Sequence, residues 1–156
     1  MTDSSGRVDT LEDFRGKVVA VFFGYTHCPD VCPTTLSEFA LALRQLGSDA
    51  HRVQVLFVTL DPDRDTPELL AKYVPAFNPT FLGMRTDPAS LAKLAADFKV
   101  VYQKNNGSDP KHYLIEHSTG TYVYDTHGRL RLLIAYGSTP QDIASDLHTL
   151  LSESSN

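Results

Sequence analysis

The fold is decided by VVAVFFGYTHCPDVCP, residues 18–33, in which a run of apolar residues leads directly into a pair of cysteines. Residues 18–23 are β-branched or aromatic apart from one alanine, which is typical of a strand buried on both faces of a sheet. Apolar side chains then recur at helical spacing across residues 34–46, as expected for a helix with one buried side. Thr35 and Glu38 have the spacing of a capping box, which predicts that this helix begins near them.

The apolar patterns farther along the chain alternate between strands and helices. They predict a buried strand over residues 53–60, helices over 67–74 and 88–98, a short strand over 100–102, a hairpin of strands 121–124 and 129–135, and a last helix over 139–151. The polar residues 104–111 predict an exposed loop. Buried strands joined by helices indicate a parallel sheet, here with an antiparallel pair added at its end. We therefore predict an α/β protein with a central mixed sheet flanked by helices, an order compatible with a thioredoxin-like fold.

Length and composition bound the organisation of the chain. Its 156 residues contain no repeat or linker, which predicts one domain over residues 7–151 with flexible ends at 1–6 and 152–156. The net charge of -5 leaves no basic excess to attract nucleic acid. The longest uninterrupted apolar run, residues 18–23, is far shorter than the about 20 residues of a membrane-spanning helix. Two cysteines form at most one disulfide or half of a metal site, which excludes a disulfide-stapled scaffold.

Both cysteines lie between a predicted strand and a predicted helix, where parallel sheets build their sites. The start of a helix favours the thiolate form of cysteine, which is both a nucleophile and a soft-metal ligand, although Asp30 opposes this slightly. Flanking prolines make the pair poor candidates for inert core residues. Two hypotheses stay open, a disulfide oxidoreductase pair and a site for a soft metal such as Cu(I). Three residues separate Cys28 from Cys32, rather than the two of thioredoxin-type motifs, which favours a metal only weakly.

A third metal ligand would have to come from one of six histidines. His27 is adjacent to Cys28, but the side chains of adjacent residues usually diverge. His117 precedes the strand over 121–124, and in a thioredoxin-like fold the segment before that strand faces the cysteine loop. That segment normally supplies a cis-proline, whereas no proline occurs within residues 111–139. His117 is therefore a stronger candidate ligand than His27, although its local sequence alone leaves ligation open, and the other four histidines are predicted to lie at the surface: His51, His112, His127 and His148.

Three segments taken together resemble the Sco/SenC family of copper chaperones, which are needed for cytochrome c oxidase assembly. They are GYTHCPDVCPT at residues 24–34, DPDRDTP at residues 61–67, and the histidine-serine pair ahead of YVYD at residues 122–125. The resemblance spans residues 11–151 and implies a thioredoxin-like domain that binds one copper ion per chain, Cu(I) or Cu(II). The family's copper ligands fall on Cys28, Cys32 and His117. Two thiolates and a neutral imidazole also suit three-coordinate Cu(I).

The resemblance also implies partners and a location. Copper would be delivered to the CuA centre of cytochrome c oxidase subunit II, with other copper chaperones or thioredoxin-like reductants as further partners and no nucleic acid. Family members are tethered to a membrane by an N-terminal helix or a lipid, on the periplasmic or mitochondrial intermembrane side. We therefore expect a monomeric, extracytoplasmic fragment that lacks its leader or anchor. Glu116 stands where the family often has aspartate, so a supporting role for that acid does not carry over directly.

The DPDRDTP segment has two interpretations. The structural one is that Asp65 or Thr66 caps the next helix while Arg64 pairs with a neighbouring acid. The functional one is that Asp61, which ends the second buried strand, tunes the thiols or forms part of a docking face. Tyr25 likewise either shields the site or packs beneath it.

We predict a metallochaperone rather than a turnover enzyme, with two alternatives. One is a thiol-disulfide oxidoreductase that keeps the CuA cysteines reduced through a Cys28–Cys32 redox pair. The other is a peroxidase, because peroxidases share the fold. It is disfavoured because the motif has no further resolving cysteine or paired arginine nearby.

Overall fold

The computed structural model of the protein describes residues 2–3, 11–26, 31–97, 102–105, 114–117 and 120–153. Within these ranges the strands are β1 (Thr2–Asp3), β2 (Val18–Gly24), β3 (Val53–Thr59), β4 (Leu82–Arg85), β5 (Tyr102–Asn105), β6 (Leu114–His117), β7 (Thr121–Tyr124) and β8 (Leu130–Ile134). The helices are α1 (Val31–Leu46), α2 (Pro67–Tyr73), α3 (Pro88–Asp97) and α4 (Pro140–Glu153), with 3-10 helices at Leu11–Phe14 and Gly47–Arg52. None of the helices in these ranges is both long and apolar enough to cross a membrane.

A six-stranded mixed sheet in the order β1-β4-β3-β2-β7-β8 forms the centre of the protein. Strands β2, β3 and β4 run parallel to one another. Strands β7 and β8 are antiparallel additions on one side, and β1 is antiparallel to β4 at the other. The predicted α/β class, with a thioredoxin-like mixed sheet and a hairpin added to it, is confirmed.

Strand β2 is buried on both faces, as its composition predicts. Its even-numbered residues belong to one apolar cluster with side chains of α1 and α4. Its odd-numbered residues belong to a second cluster with side chains of α3. Helices therefore flank the sheet on both sides, and the central strand has no face toward water.

Helix α1 begins at Val31, three residues before the predicted start at residue 34. Thr35 and Glu38 consequently lie inside the helix, and the capping-box prediction is wrong. Neither Thr35 Oγ1 nor Glu38 Oε2, both buried, has a hydrogen-bond partner. The spacing matched a cap, but a backbone already helical at residue 31 leaves no unpaired N–H group at Thr35 for such a cap.

Strand β4 was missed because Gly83 interrupts its apolar pattern. A Cβ atom at position 83 would lie 3.0 Å from Leu70 Cβ and 3.1 Å from Val74 Cγ2. Glycine therefore allows α2 to approach the sheet closely. The same glycine removes an apolar side chain from the pattern that would have predicted a strand.

A separate two-stranded antiparallel ribbon is formed by β5 and β6. The predicted loop over residues 104–111 is wrong at its start, since Lys104 and Asn105 belong to β5. Residues 106–111 lie outside the described part. The proposed domain limits and flexible ends stay predictions, although α4 continues to Glu153.

Candidate metal centre

Two described elements that contain predicted ligands, α1 and β6, follow β2 and precede its neighbour β7 along the chain. That strand ends at Gly24, and α1 begins at Val31. Cys32 is the second residue of α1, and His117 is the last residue of β6. Cys28 and the side chains of Cys32 and His117 lie outside the described part of the structure. Among the side chains that are described, no three His, Cys, Asp or Glu residues cluster so as to hold a metal.

The pairing of β7 with β2 indicates where the chain before β7, which contains His117, lies. It approaches the end of β2, where the cysteine segment (residues 25–32) begins. Thr121 begins β7 and pairs with Phe22 near the end of β2. His117 precedes Thr121 by four residues, a distance of at most about 14 Å in extended chain. The backbone of His117 therefore lies close to the edge from which the cysteine segment departs. The three-ligand set itself stays a prediction.

A buried carboxylate holds the start of the cysteine segment in place. Thr26 N donates to Asp65 Oδ2 at 3.1 Å, and Thr26 Oγ1 donates to Asp65 Oδ1 at 2.5 Å. Thr59 Oγ1 donates to Asp65 Oδ2 at 2.6 Å. Asp65 has no exposed surface, so these hydrogen bonds replace the water that its carboxylate has lost. They join the residue two positions before Cys28 to the end of β3.

Arg85, on β4, supports the loop between β3 and α2 that contains Asp65. Its Nε donates to the carbonyl oxygen of Asp65 at 2.8 Å, and its Nη2 donates to the carbonyl oxygen of Pro62 at 2.9 Å. A rigid strand therefore holds the backbone of the loop that presents the Asp65 carboxylate.

The structural interpretation of the DPDRDTP segment is confirmed. Thr66 is the N-cap of α2 and accepts a hydrogen bond from Leu69 N at 3.2 Å. Arg64 Nε donates to Asp61 Oδ2 in an ion pair. Asp61 is 1% exposed, so its carboxylate offers no surface for docking.

Tyr25 is packed into the apolar core and is not an exposed residue, which favours the packing interpretation of its role. It is 2% exposed and belongs to the apolar cluster on the α3 side of the sheet. The Arg64 guanidinium carbon lies 5.9 Å from the centre of the Tyr25 ring, within range of a cation–π contact. Asp61, Arg64 and Tyr25 thus form a continuous set of contacts that ends at the residue before Thr26.

Asp65 is the residue of this site that sequence reasoning missed. The local sequence indicates only that Asp65 is a possible helix cap. Its partner Thr26 lies 39 positions earlier, and no local pattern reports a contact over that distance. The available signal was a third aspartate in a segment where Thr66 alone could supply the helix cap.

The surface histidines are placed as predicted wherever the structure describes them. His51, His127 and His148 are exposed. The Nδ1 atom of His51 lies 2.5 Å from the carbonyl oxygen of Ser48. His27 and His112 lie outside the described residues.

Comparisons with known proteins point to one family. The family model described as SCO1/SenC matches residues 1–152. The SCO2-like protein of Rickettsia felis is 32% identical over 146 residues, which are 92% of this chain and 70% of that protein. The mitochondrial SCO2 homolog of Bos taurus is 36% identical over 130 residues, 82% of this chain but only 49% of that protein. The chain thus spans about half to 70% of these relatives.

A solved structure extends the similarity to three dimensions. The copper-bound ScoI of Bradyrhizobium japonicum superposes with a TM-score of 0.87 at 38% sequence identity. The match covers 96% of this chain and 94% of that one. The similarity therefore includes the whole fold, not only the cysteine segment.

Proposed function

This chain belongs to the SCO1/SenC family, and from that premise we propose that it is a copper metallochaperone for cytochrome c oxidase assembly. The observation that carries the proposal is the similarity to a copper-bound relative over 96% of the chain. In addition, α1, which contains Cys32, follows β2 along the chain, and β6, which ends at His117, precedes β7, the strand that pairs with β2.

The proposed cargo is one copper ion per chain, held by Cys28, Cys32 and His117. Thiolates are soft ligands that suit Cu(I), and an imidazole nitrogen keeps the site tolerable to Cu(II), which thiolates alone would tend to reduce. Cys32 is the second residue of α1, where the helix dipole favours the thiolate form. The donor set therefore fits copper in both of its common oxidation states.

Copper loading is coupled to the redox state of the cysteines. Metal binding needs both thiols reduced, and their oxidation to a disulfide removes two of the three ligands. Three protein ligands leave a coordination position open to an incoming ligand. The proposed recipient is the CuA domain of cytochrome c oxidase subunit II, with other copper chaperones or thioredoxin-like reductants supplying copper or electrons.

The described residues contribute a preformed start to the ligand loop. Asp65 fixes Thr26 through the two hydrogen bonds that Thr26 donates to it. The chain between Thr26 and α1 is then anchored at both ends, because α1 packs on the sheet. Less of the loop has to be ordered when copper binds, which lowers the entropic cost of binding.

The family also supports a location outside the cytoplasm. The Bos taurus relative is named as mitochondrial. We extend this to a periplasmic or comparable extracytoplasmic location, at which the protein is tethered to a membrane.

Copper stoichiometry tests the ligand set. Reduced protein is expected to bind one copper per chain, with thiolate-to-Cu(II) charge-transfer bands that disappear in Cys28→Ser and in Cys32→Ser. His117→Ala should bind copper at least about tenfold more weakly, because loss of groups that merely support metal ligands already costs that much.

The matched control is His127→Ala, which removes an exposed histidine from the turn between β7 and β8. It should bind copper like the parent. Unchanged affinity in His117→Ala, or equal losses in both histidine variants, would contradict the three-ligand site.

The alternative function is thiol-disulfide exchange with the CuA cysteines, and the placement of Cys32 at the start of α1 favours it. The Cys28–Cys32 dithiol would give two electrons and two protons to an oxidised CuA disulfide and become a disulfide itself. The test is reduction of an oxidised CuA domain by copper-free protein. If this is the main function, His117→Ala retains full activity, whereas a copper-only function predicts no reduction.

A further inference from the structure

Two large apolar side chains are exposed at the end of β8, an edge strand of the central sheet. Leu133, the fourth residue of the strand, is 63% exposed. Tyr136, two residues after the strand ends, is 42% exposed. A single exposed apolar residue needs no explanation, whereas a group of them beside a functional site marks an interaction surface. The position of this end of β8 therefore matters.

Strand pairing places this end of β8 beside the segment that carries the proposed histidine ligand. Ile134, the last residue of β8, is the register partner of Thr121, the first residue of β7. His117 lies four residues before Thr121. The other end of β8 lies away from this segment, because Leu130 pairs with Tyr124 at the far end of β7.

Leu133 lies against the chain at Gly120, three residues after His117. A Cβ atom at position 120 would lie 2.5 Å from Leu133 Cδ1, closer than two carbon atoms can pack. The missing side chain of Gly120 therefore leaves room for Leu133 at this place. Three residues of extended chain span at most about 11 Å, so Leu133 is a near neighbour of the proposed metal centre.

The sequence around these two residues contains acids but no bases. The start of α1 and the turn after β8 line one shared cleft. Residues 33–43 of α1 contain one charged residue, Glu38, and residues 132–142 contain one, Asp142. Asp142 is exposed in the first turn of α4. A protein that docks here with apolar side chains gains further from a cationic group at its rim, opposite Asp142.

We propose that the end of β8, with Leu133 and Tyr136 at its centre, is the surface on which the copper-receiving domain docks. The occupant is the CuA domain of subunit II, with an apolar contact surface and a cationic side chain at its edge. Copper passes between proteins by ligand exchange, so the recipient has to cover the surface that adjoins the metal. The identity of the partner rests on the proposed function, whereas the location of the surface rests on exposure and strand pairing.

The test is an NMR titration of the reduced, copper-free full chain with the copper-free CuA domain. Saturable shifts are expected for the amides of Gly120, Leu133 and Tyr136. Leu133→Ser should weaken binding about tenfold, because a large apolar side chain is no longer buried in the complex. The matched control is Leu130→Ser, the same change at the 56% exposed leucine of the other end of β8, which should bind like the parent.

Two results of this titration would overturn the proposal. One is the absence of saturable shifts in the parent protein. The other is a Leu133→Ser protein that binds as tightly as the parent or loses no more affinity than Leu130→Ser. Both leucines are exposed, so neither change removes a core contact, and the two variants compare folded proteins.

Charge reversal tests the cationic rim of the partner. Asp142→Lys should weaken binding of the CuA domain about two- to fivefold at low ionic strength, and the difference should shrink as salt is added. Glu68→Lys reverses an exposed acid in the first turn of α2, across the sheet from β8, and should have no effect. Equal binding by Asp142→Lys and the parent would overturn the assignment of a cationic rim.

Copper measurements separate this proposal from the proposed function. Leu133→Ser should bind copper with the parent's affinity in competition with a Cu(I) chelator, but deliver it to the CuA domain more slowly. A loss of copper affinity in this variant would overturn the docking role, because Leu133 would then support the metal centre itself. A parent protein that binds no copper contradicts the proposed function, and the copper-free titration still decides the docking surface.

Sedimentation of the protein alone, at the concentrations of the titration, tests a second copy of the chain as the occupant. The parent is expected to be a monomer. A dimer that Leu133→Ser dissociates and Leu130→Ser leaves intact would assign the surface to self-association and overturn the assignment to the recipient.

Discussion

At the residue scale, Asp65 holds Thr26, the residue two positions before Cys28, through its buried carboxylate. Its two carboxylate oxygens accept from Thr26 N, Thr26 Oγ1 and Thr59 Oγ1. An asparagine at this position keeps the shape but replaces one acceptor oxygen with an amide group that can only donate. In either orientation at least one of the three donors loses its acceptor: an amide group at the Oδ2 position would face Thr26 N, and one at the Oδ1 position would leave the Thr26 hydroxyl proton without its partner.

Asp65→Asn is therefore expected to lower the free energy of unfolding by about 2–3 kcal/mol, measured by urea denaturation. Because the start of the loop is released, copper affinity should fall as well, measured by competition with a Cu(I) chelator. Asp146→Asn, at an exposed position of α4, makes the same chemical change and should alter neither quantity. A destabilised Asp65→Asn protein with unchanged copper affinity would show that Asp65 supports the fold but not the metal site.

At the element scale, the approach of α2 to β4 depends on the missing side chain of Gly83. An added methyl group would lie within 3.1 Å of both Leu70 Cβ and Val74 Cγ2. Replacing glycine with alanine stabilises by about 0.4–1 kcal/mol through the unfolded chain, whereas overpacking a core costs about 1–3 kcal/mol. The cost of overpacking is therefore larger than the gain from the less flexible unfolded chain.

Gly83→Ala should accordingly lower the free energy of unfolding by about 1–2 kcal/mol. Val74→Ala removes one of the two close contacts and leaves space for the new methyl group. In a double-mutant cycle measured by urea denaturation, the loss in Val74→Ala/Gly83→Ala should be smaller than the sum of the single losses. Strict additivity would contradict the close contact between Val74 and position 83.

At the scale of the whole molecule, Asp125 links the β7–β8 hairpin to the C-terminal helix. Asp125 Oδ1 accepts from His127 N and Arg129 N, and its Oδ2 accepts from Arg129 Nε at 3.1 Å. Arg131 Nη1 lies 3.4 Å from the same Oδ2 and donates to Glu153 Oε2 at 2.7 Å. The chain of contacts therefore runs from the hairpin turn to the end of α4.

This link predicts the dependence of stability on pH. Burial raises the pKa of the Asp125 carboxyl, but hydrogen bonds from the Arg129 and His127 backbone and the Arg129 guanidinium outweigh it and hold the pKa below its usual range. A carboxyl with a depressed folded-state pKa contributes its stability above the unfolded value of about 3.9 and loses it as the pH falls through the folded value. The free energy of unfolding should therefore decrease as the pH falls below about 4.

Asp125→Asn should be less stable than the parent at pH 7 and should lose less stability between pH 5 and pH 3. Urea denaturation across that range measures both effects. Asp146→Asn again supplies the control, with the parent's pH dependence expected. An Asp125→Asn protein whose stability changes as steeply as that of the parent would exclude Asp125 as a source of the acid sensitivity.

Most of the central sheet could be predicted because its signals are local. The β2 run, its following helix and the β7–β8 hairpin each lie within a short window of sequence, where periodicity and turn residues report burial directly. The predictions were wrong at the start of α1 and missed β4 because a local pattern does not report contacts with distant parts of the chain. Thr35 and Glu38 matched a cap by spacing alone, and Gly83 was selected by the packing of α2, which is distant in sequence.

By itself the sequence determined which side chains can perform the chemistry. Two thiols, one histidine ahead of a strand, and three motifs in order sufficed to identify the family and to propose copper, because ligand chemistry belongs to residue types. Only the tertiary structure decided what supports that site and what lies beside it. Asp65 reaches Thr26 across 39 positions, and Arg131 connects the Asp125 carboxylate to Glu153 at the end of α4. Such contacts depend on how strands pair and helices pack, and a pattern confined to one short segment carries no record of them.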